Sequence, residues 1–305
     1  MEGNSPTFPH REEGLLRSEP GSAPEFLRPE PGFNPPPQPV RRPRPSWAYA
    51  PATYALVAIN CMVFLVMTVR GVSLWSPTTK QLMHWGADNA GSVLQYGEWW
   101  RIVSAMFVHV GIIHLATNMW CLWNLGLLAE PLMGSAGLLA VYILTGAAGN
   151  LLSTLYNWSM NYPEWTKIHG TAAVAQILEI FPAGAGASGA VFGIAGALII
   201  LLKSHRLPVP PVELNKLRQS VIYFAAINLL IGFTISLGVV SRHTGVSIDN
   251  SAHLGGVLCG LLFAAPMVPR IGAPREVFHF RLRAAIGMVV GILVLFGFYL
   301  VKLSR

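Results

Sequence analysis

The sequence predicts an all-α fold, a polytopic bundle of transmembrane helices, and three observations support this fold class. Of the 305 residues, 52% are hydrophobic and 11% are charged, whereas soluble domains carry about 25% charged residues. Seven apolar stretches approach the roughly 17–25 residues that a membrane-spanning helix needs. The basic residues, which produce a net charge of +7, lie between these stretches, as topology signals do. This placement favours membrane lipids as partners over nucleic acid.

Residues 1–46 differ in composition from the rest of the chain, because they are rich in proline and poor in aromatic residues. Such a segment cannot bury enough apolar surface to offset its ordering entropy. It also lacks the apolar stretch that a cleaved signal peptide requires. We therefore expect a disordered tail.

The predicted spans are, in chain order, 51–69, 113–130, 136–157, 188–203, 219–240, 251–268 and 284–303. The fourth span is short and rich in glycine, which suits a central helix whose end opens into a polar cavity. The long first loop, 70–112, contains four tryptophans, which are typical of membrane-interface anchors. Within it, Glu98–Val110 is predicted as a short amphipathic helix at the membrane surface. Glu130, which precedes a proline, is expected to end the second span.

The distribution of lysine and arginine predicts the orientation of the chain. With a cytoplasmic N-terminus, fourteen of these residues lie inside and seven outside, and an excess inside is the rule for membrane proteins. We therefore expect a multi-pass plasma-membrane protein with a cytoplasmic N-terminus and an external C-terminus. Ser188 and His253 then both lie near the outer ends of their helices.

Ser188 and His253 are candidates for catalysis because polar side chains in membrane helices are energetically costly and usually functional. Ser188 begins the fourth span, and His253 lies at the start of the sixth. A serine that attacks and a histidine that takes its proton are the minimum for nucleophilic catalysis. Each residue alone also has a structural interpretation, since small residues favour helix packing and a buried histidine can simply be hydrogen-bonded.

Glycines beside both residues favour the catalytic interpretation. Two pairs occur at four-residue spacing, Gly189 with Gly193 and Gly256 with Gly260. Each pair leaves a smooth helix face that another backbone can approach closely. His253 shares the face of the second pair, because its spacing to those glycines follows the helical period. We therefore expect the two helices to meet where Ser188 and His253 lie.

The second span adds His114 and Asn118, which lie one turn apart on one helix face. Acyl transfer requires donors directed at the oxygen that becomes negatively charged. A histidine N–H, the asparagine amide and the Ser188 backbone N–H would supply them, and an interhelical hydrogen-bond pair is the alternative. Metal ligation is not predicted, because the chain has no His-Glu-x-x-His motif.

In these elements and their order, the chain resembles the rhomboid intramembrane serine proteases over residues 51–268. The matching elements are Trp100-Arg101, His109, His114, Asn118, Gly186-Ala187-Ser188-Gly189, and Ala252-His253 with Gly256 and Gly260. The resemblance implies Ser188 as the nucleophile and His253 as the general base. It implies His114, Asn118 and the Ser188 amide as the oxyanion site. Trp100 and Arg101 would be structural.

The resemblance also implies a rhomboid-like six-helix catalytic core at 47–268, followed by a basic cytoplasmic loop and a seventh transmembrane helix at 269–305. One departure is Phe192, which stands where the family often has a tyrosine that supports the histidine ring. Ring stacking is kept, but a hydroxyl contact is lost. The family needs no third triad member, so Asp249, one turn before His253, is expected to cap its helix.

Other function classes fit the sequence less well. An aspartyl intramembrane protease needs two facing carboxylates, but neither of the two aspartates, Asp88 and Asp249, lies mid-span. A transporter would show repeated halves and polar groups near mid-membrane, and no such repeat is visible. A catalytically inactive relative that binds membrane helices typically lacks the serine or the histidine, and both are present here.

The sequence therefore predicts a bacterial intramembrane serine endopeptidase that cleaves transmembrane segments of other proteins through an acyl-enzyme. No metal, nucleotide or other cofactor is predicted. Helical backbone in lipid has its amides hydrogen-bonded, so we expect substrates with helix-weakening residues near the outer face. The substrate, the oligomeric state and the role of the segment 158–183 are left open.

Overall fold

The computed structural model describes residues 49–167, 181–236 and 249–304, and most of these residues are helical. The helices are α1 (Pro51–Val69), α2 (Thr79–His84), α3 (Ala90–Tyr96), α4 (Arg101–Ser104), α5 (Ile112–Lys167), α6 (Ser188–Leu201), α7 (Pro211–Ser236), α8 (Asn250–Ala264) and α9 (Arg275–Leu303). Two short strands, β1 (Asp88–Asn89) and β2 (Ala183–Gly184), pair antiparallel. Three segments named above lie outside the described residues: the tail 1–46, for which disorder is expected, the middle of 158–183, and the end of the fifth predicted span.

The architecture is that of a helical, multi-pass membrane protein, which confirms the predicted fold class. Three of the described helices are long and apolar enough to cross a membrane, namely α1, α5 as far as Asn161, and α9. α6 and α8 are shorter apolar helices of 14 and 15 residues. The first predicted span coincides with α1. The count of seven spans remains a prediction.

α5 contains the second and third predicted spans and breaks between them. The break lies at Gly134, whose φ of 69° and ψ of 164° are not helical. Glycine adopts a positive φ without steric strain, so it permits the sharp change of direction. The expectation that Glu130 ends the second span was therefore wrong, since the helix continues to the glycine.

Glu130 instead joins the start of α1 to the break in α5. Its side chain is 2% exposed. It accepts hydrogen bonds from the backbone N–H groups of Ala52 (2.9 Å) and Thr53 (2.8 Å), from the Thr53 hydroxyl (2.7 Å) and from the Ser135 hydroxyl (2.7 Å). First-turn N–H groups lack partners within their own helix. Glu130 therefore supplies, from α5, the cap that the N-cap residue of α1 does not provide.

The first loop folds around Arg101. The guanidinium donates to the Glu98 carboxylate at 2.6 Å and to the backbone carbonyls of Met83 (2.7 Å) and Ala87 (3.0 Å), and it stacks over the Trp100 ring at 4.5 Å. These contacts join α4 to the end of α2 and to the segment that leads to β1. The structural role expected for Arg101 is thus visible.

The predicted surface helix at 98–110 is shorter than expected. Only α4 and a 3₁₀ turn, Ala105–Phe107, are helical in this stretch. The structural reason is that Arg101 and its neighbours are tied to loop carbonyls rather than presenting a continuous apolar face to the membrane.

α6 lies between α5 and α8, and glycines set its distance to α8. A Cβ on Gly256 would overlap the carbonyl oxygen of Gly189, and a Cβ on Gly260 would overlap that of Gly193. The two backbones are therefore in direct contact, as the paired glycine spacing predicted. This contact brings the N-terminal ends of the two helices together.

Candidate active site

Ser188 is the first residue of α6, and the chain reaches it through a turn that requires glycine. Gly186 has a φ of 132°, and a Cβ there would lie 2.5 Å from Cε1 of His114. The Gly186 N–H donates to the carbonyl of Ala105 at 2.9 Å, which holds the turn against the first loop. Because Ser188 begins the helix, its backbone N–H has no acceptor within α6.

His253 lies in the first turn of α8, and its Nε2 is 2.8 Å from Oγ of Ser188. The histidine is 8% exposed, and the serine is partly exposed. Nε2 can accept the serine proton when Nδ1 carries the ring proton. The structure thus brings together the two residues that the sequence singled out from segments 65 positions apart.

Phe192 packs flat on the imidazole of His253. The ring centroids are 4.3 Å apart, and the planes are inclined by 17°. Phe192 lies one turn after Ser188 on α6, so the same helix carries the serine and supports the histidine. The stacking expected at this position is present, and the phenyl ring offers no hydroxyl.

His114 and Asn118 lie on the first turns of α5, next to the turn that precedes Ser188. His114 Nδ1 accepts the Val110 N–H at 3.3 Å, which leaves Nε2 as the ring donor, on the side of Gly186. Asn118 donates one amide hydrogen to the His114 carbonyl at 2.9 Å. An amide has two hydrogens, so one remains for another acceptor. Both donors are thereby held on the helix that borders the Gly186 turn.

His109 is a buried histidine for which the sequence suggested no role. Its ring packs against that of His114, with centroids 5.4 Å apart, and it is 0% exposed. Burial, reinforced by His114, lowers the pKa of His109 to about 3, and the Phe107 carbonyl opposes this in part. Within the described residues, neither ring nitrogen has a hydrogen-bond partner. His109 is therefore neutral, and its ring packs against the His114 ring.

Asp249 caps α8 and does not orient His253. Its carboxylate accepts the Ala252 N–H at 3.0 Å and the hydroxyls of Ser153 and Ser251. In the part of the chain that the structure describes, Nδ1 of His253 has no hydrogen-bond partner. The capping interpretation of Asp249 is confirmed. Among the described residues, Ser188 and His253 therefore form a pair without a carboxylate as a third member.

The fold and the site together define a class of protein. The protein is a helical membrane protein in which a serine and a histidine lie in hydrogen-bond contact at the ends of two packed helices. The chain belongs to the rhomboid family, since the family model described as "Rhomboid domain" matches residues 96–270.

Several curated proteins are similar in sequence to this chain. Rhomboid protease GluP of Bacillus subtilis (strain 168) is 31% identical over 248 residues, which cover 81% of this chain and 40% of that protein. Rhomboid protease AarA of Providencia stuartii is 30% identical over 213 residues, which cover 70% of each chain. The mitochondrial RHOMBOID-like protein 6 of Arabidopsis thaliana is 30% identical over 200 residues, which cover 64% of this chain and 53% of that protein.

Proposed function

We propose that the chain is an intramembrane serine endopeptidase in which Ser188 and His253 form a catalytic dyad. The observation that carries this proposal is the 2.8 Å contact between the serine Oγ and the histidine Nε2. The family membership supports it, because GluP and AarA are named rhomboid proteases.

The contact suits a proton transfer coupled to nucleophilic attack. Nε2 of His253 takes the hydroxyl proton while Oγ of Ser188 forms a bond to the scissile carbonyl carbon. When the tetrahedral intermediate collapses, the C–N bond breaks and the imidazolium returns the proton to the leaving amine. Water then attacks the acyl-enzyme with the same base, which releases the acid product and restores the serine.

The developing oxyanion would be stabilised by three donors around the Gly186 turn. They are the backbone N–H of Ser188, Nε2–H of His114 and the second amide hydrogen of Asn118. Such donors act in a site with little water, where removing one typically lowers the rate about 100- to 1,000-fold. The Val110 N–H bond to Nδ1 fixes the His114 tautomer that has its proton on Nε2.

The substrates are proposed to be transmembrane segments of other proteins. Ser188 begins a helix of only 14 residues, about 21 Å at 1.5 Å per residue. This is shorter than the roughly 30 Å hydrocarbon core, so the dyad can lie where water reaches it. A substrate helix must expose its scissile amide to this site, and glycine or alanine near the outer face would ease its unwinding.

The protein is proposed to reside in the plasma membrane of a bacterium, with the N-terminus in the cytoplasm, the C-terminus outside and the dyad towards the outer face. The excess of basic residues on the inner side supports this orientation.

The test is proteolysis of a fluorogenic transmembrane substrate in detergent by wild type, Ser188→Ala, His253→Ala and the double variant. Each single variant is expected to lose turnover, and the double variant is expected to be no worse, because groups acting as a unit are not additive. Wild-type turnover in Ser188→Ala would contradict the proposal.

Ser220→Ala is the matched control. Ser220 is an exposed serine of α7, and its hydroxyl donates to the Lys216 carbonyl at 3.0 Å. The substitution is chemically the same as Ser188→Ala, so it should leave turnover unchanged. Thermal unfolding of all variants separates loss of chemistry from loss of fold.

A further inference from the structure

Two carboxyl groups that catalysis does not use lie beside the catalytic dyad. Asp88 is in β1, and Asp249 precedes α8. A Cβ on Gly184 of β2 would lie 3.7 Å from Cβ of Asp88 and 3.9 Å from Oδ2 of Asp249. Both aspartate side chains therefore border the same residue of β2.

The hydroxyls of two consecutive residues of α5 each donate to one of the two carboxyl groups. Thr154 donates to Oδ2 of Asp88 at 3.3 Å, and Ser153 donates to Oδ2 of Asp249. Four elements consequently meet at this point: β1, β2, α5 and the start of α8.

The two carboxyl groups differ in how well they are stabilised as anions. Asp249 accepts three hydrogen bonds, from Ser153, Ser251 and the Ala252 N–H. Asp88 is 3% exposed, and its Oδ1 has no hydrogen-bond partner within the described residues. A buried carboxylate with an oxygen that has no donor is unfavourable, whereas one with several donors is stabilised. Of the two, Asp88 is the one that holds a proton.

The charged groups around Asp88 agree with this assignment. Asp249, the residue before α8, disfavours its ionisation, while Arg101 of α4 favours it. The Arg101 guanidinium is also engaged by Glu98 and by loop carbonyls. α3 and the hydroxyl-bearing turn of α5 add only the exposed phenols Tyr96 and Tyr156, and the described part of β2 adds no titratable side chain. Burial first, and Asp249 second, raise the pKa of Asp88 to about 7, against weaker opposing effects of Thr154, Asn89 and Arg101.

Each carboxyl group is connected to one member of the dyad. β2, which pairs with Asp88 and Asn89, ends at Gly184 and leads to Ser188 four residues later. Asp249 caps the helix that carries His253 one turn further on. A change in the separation of the two carboxyl groups would therefore shift Ser188 relative to His253.

We propose that Asp88 is a positioning residue: as the protonated member of a pair with Asp249, it keeps the strand leading to Ser188 against the helix bearing His253, and its ionisation loosens this junction. The proposal rests on the proposed function, because the positions that it controls are those of the dyad.

The sign of the pH dependence follows from the raised pKa. The folded protein binds the Asp88 proton more tightly than the unfolded chain, whose aspartate titrates near pH 3.9. The stabilisation is therefore complete below about pH 4 and is lost as the pH rises to about 7. A histidine base alone predicts turnover that rises with pH to a plateau. The carboxyl pair adds a fall in kcat, with little change in KM, as the pH passes about 7.

The experiment measures the protonated carboxyl band by infrared spectroscopy and the pH profile of kcat, for the full chain in detergent. Wild type should show a carboxyl band that disappears near pH 7 together with the fall in kcat. Asp88→Asn, which cannot ionise, should lack that band and keep its kcat above pH 7. Glu213→Gln, an exposed carboxyl-to-amide change at the start of α7, should behave as wild type.

Asp249→Asn is a second variant that tests the carboxyl pair if Asp88→Asn does not fold. It removes the neighbouring charge, so the Asp88 band should disappear at a lower pH than in wild type. The proposal is overturned if wild type shows no carboxyl titration near neutrality, or if Asp88→Asn loses kcat above pH 7 as wild type does. The carboxyl band is measured without substrate. If the band titrates as expected but neither wild type nor any variant cleaves a substrate, the proposed protease function is contradicted and the carboxyl pair is not.

Discussion

Replacing Glu130 tests how the first span is attached to the rest of the bundle. Its carboxylate accepts four hydrogen bonds while only 2% exposed, two at each oxygen. Oε1 accepts from the Ala52 N–H and the Ser135 hydroxyl, and Oε2 accepts from the N–H and the hydroxyl of Thr53. Glu130→Gln keeps the shape but turns one oxygen into a donor. Whichever oxygen is replaced, one backbone N–H and one hydroxyl lose their acceptor.

The size of the effect can be worked from these contacts. The hydroxyl can rotate to another acceptor, but the buried N–H cannot, and leaving it unsatisfied costs about 1–3 kcal/mol. Loss of a negative charge at a helix N-terminus costs about 0.3–1 kcal/mol more. We therefore expect Glu130→Gln to lower the free energy of unfolding by about 1.3–4 kcal/mol.

Equilibrium unfolding in mixed detergent micelles measures this difference. Ser135→Ala is the matched control, because it leaves the carboxylate three donors and leaves no backbone N–H without an acceptor. It should therefore cost less than Glu130→Gln. If Glu130→Gln were as stable as Ser135→Ala, the carboxylate would not hold α1 in the way described.

Three further predictions concern the site and the topology. His114→Ala and Asn118→Ala should each lower kcat about 100- to 1,000-fold with a smaller change in KM; equal turnover would make them a structural pair. Gly256→Ala should destabilise the protein, because its Cβ would overlap the Gly189 carbonyl, whereas Gly287→Ala, with open space around it, should not; equal melting temperatures would contradict the close helix contact. Reporter fusions at the two termini should report opposite sides of the membrane, and the same side would remove a span from the predicted seven.

The contact between Ser188 and His253 was predictable from the sequence for a physical reason. Paired glycines at four-residue spacing leave one helix face without side chains, and this periodicity is visible in the sequence. It predicted both the close approach of α6 to α8 and the side on which the two residues meet. Asp249 as a cap was predictable in the same way, because capping is local in sequence.

Other features depend on contacts between distant segments, and sequence patterns do not reveal them. Glu130 caps α1 across 77 and 78 residues, and its place before a proline suggested only a helix end. Asp88 reaches its environment through the pairing of β1 with β2, two strands of two residues each, which are too short to leave a periodic signal. The buried contacts of Arg101 likewise shortened a helix that amphipathic spacing had predicted.

The most direct test of Ser188 as a nucleophile activated by His253 is to map the adduct of a fluorophosphonate probe by mass spectrometry on the detergent-solubilised protein. We expect a covalent adduct on Ser188 in wild type and in Ser220→Ala, and greatly reduced labelling in His253→Ala, since the hydroxyl is activated by the imidazole at 2.8 Å. An adduct on another serine, or undiminished labelling of Ser188 in His253→Ala, would contradict it.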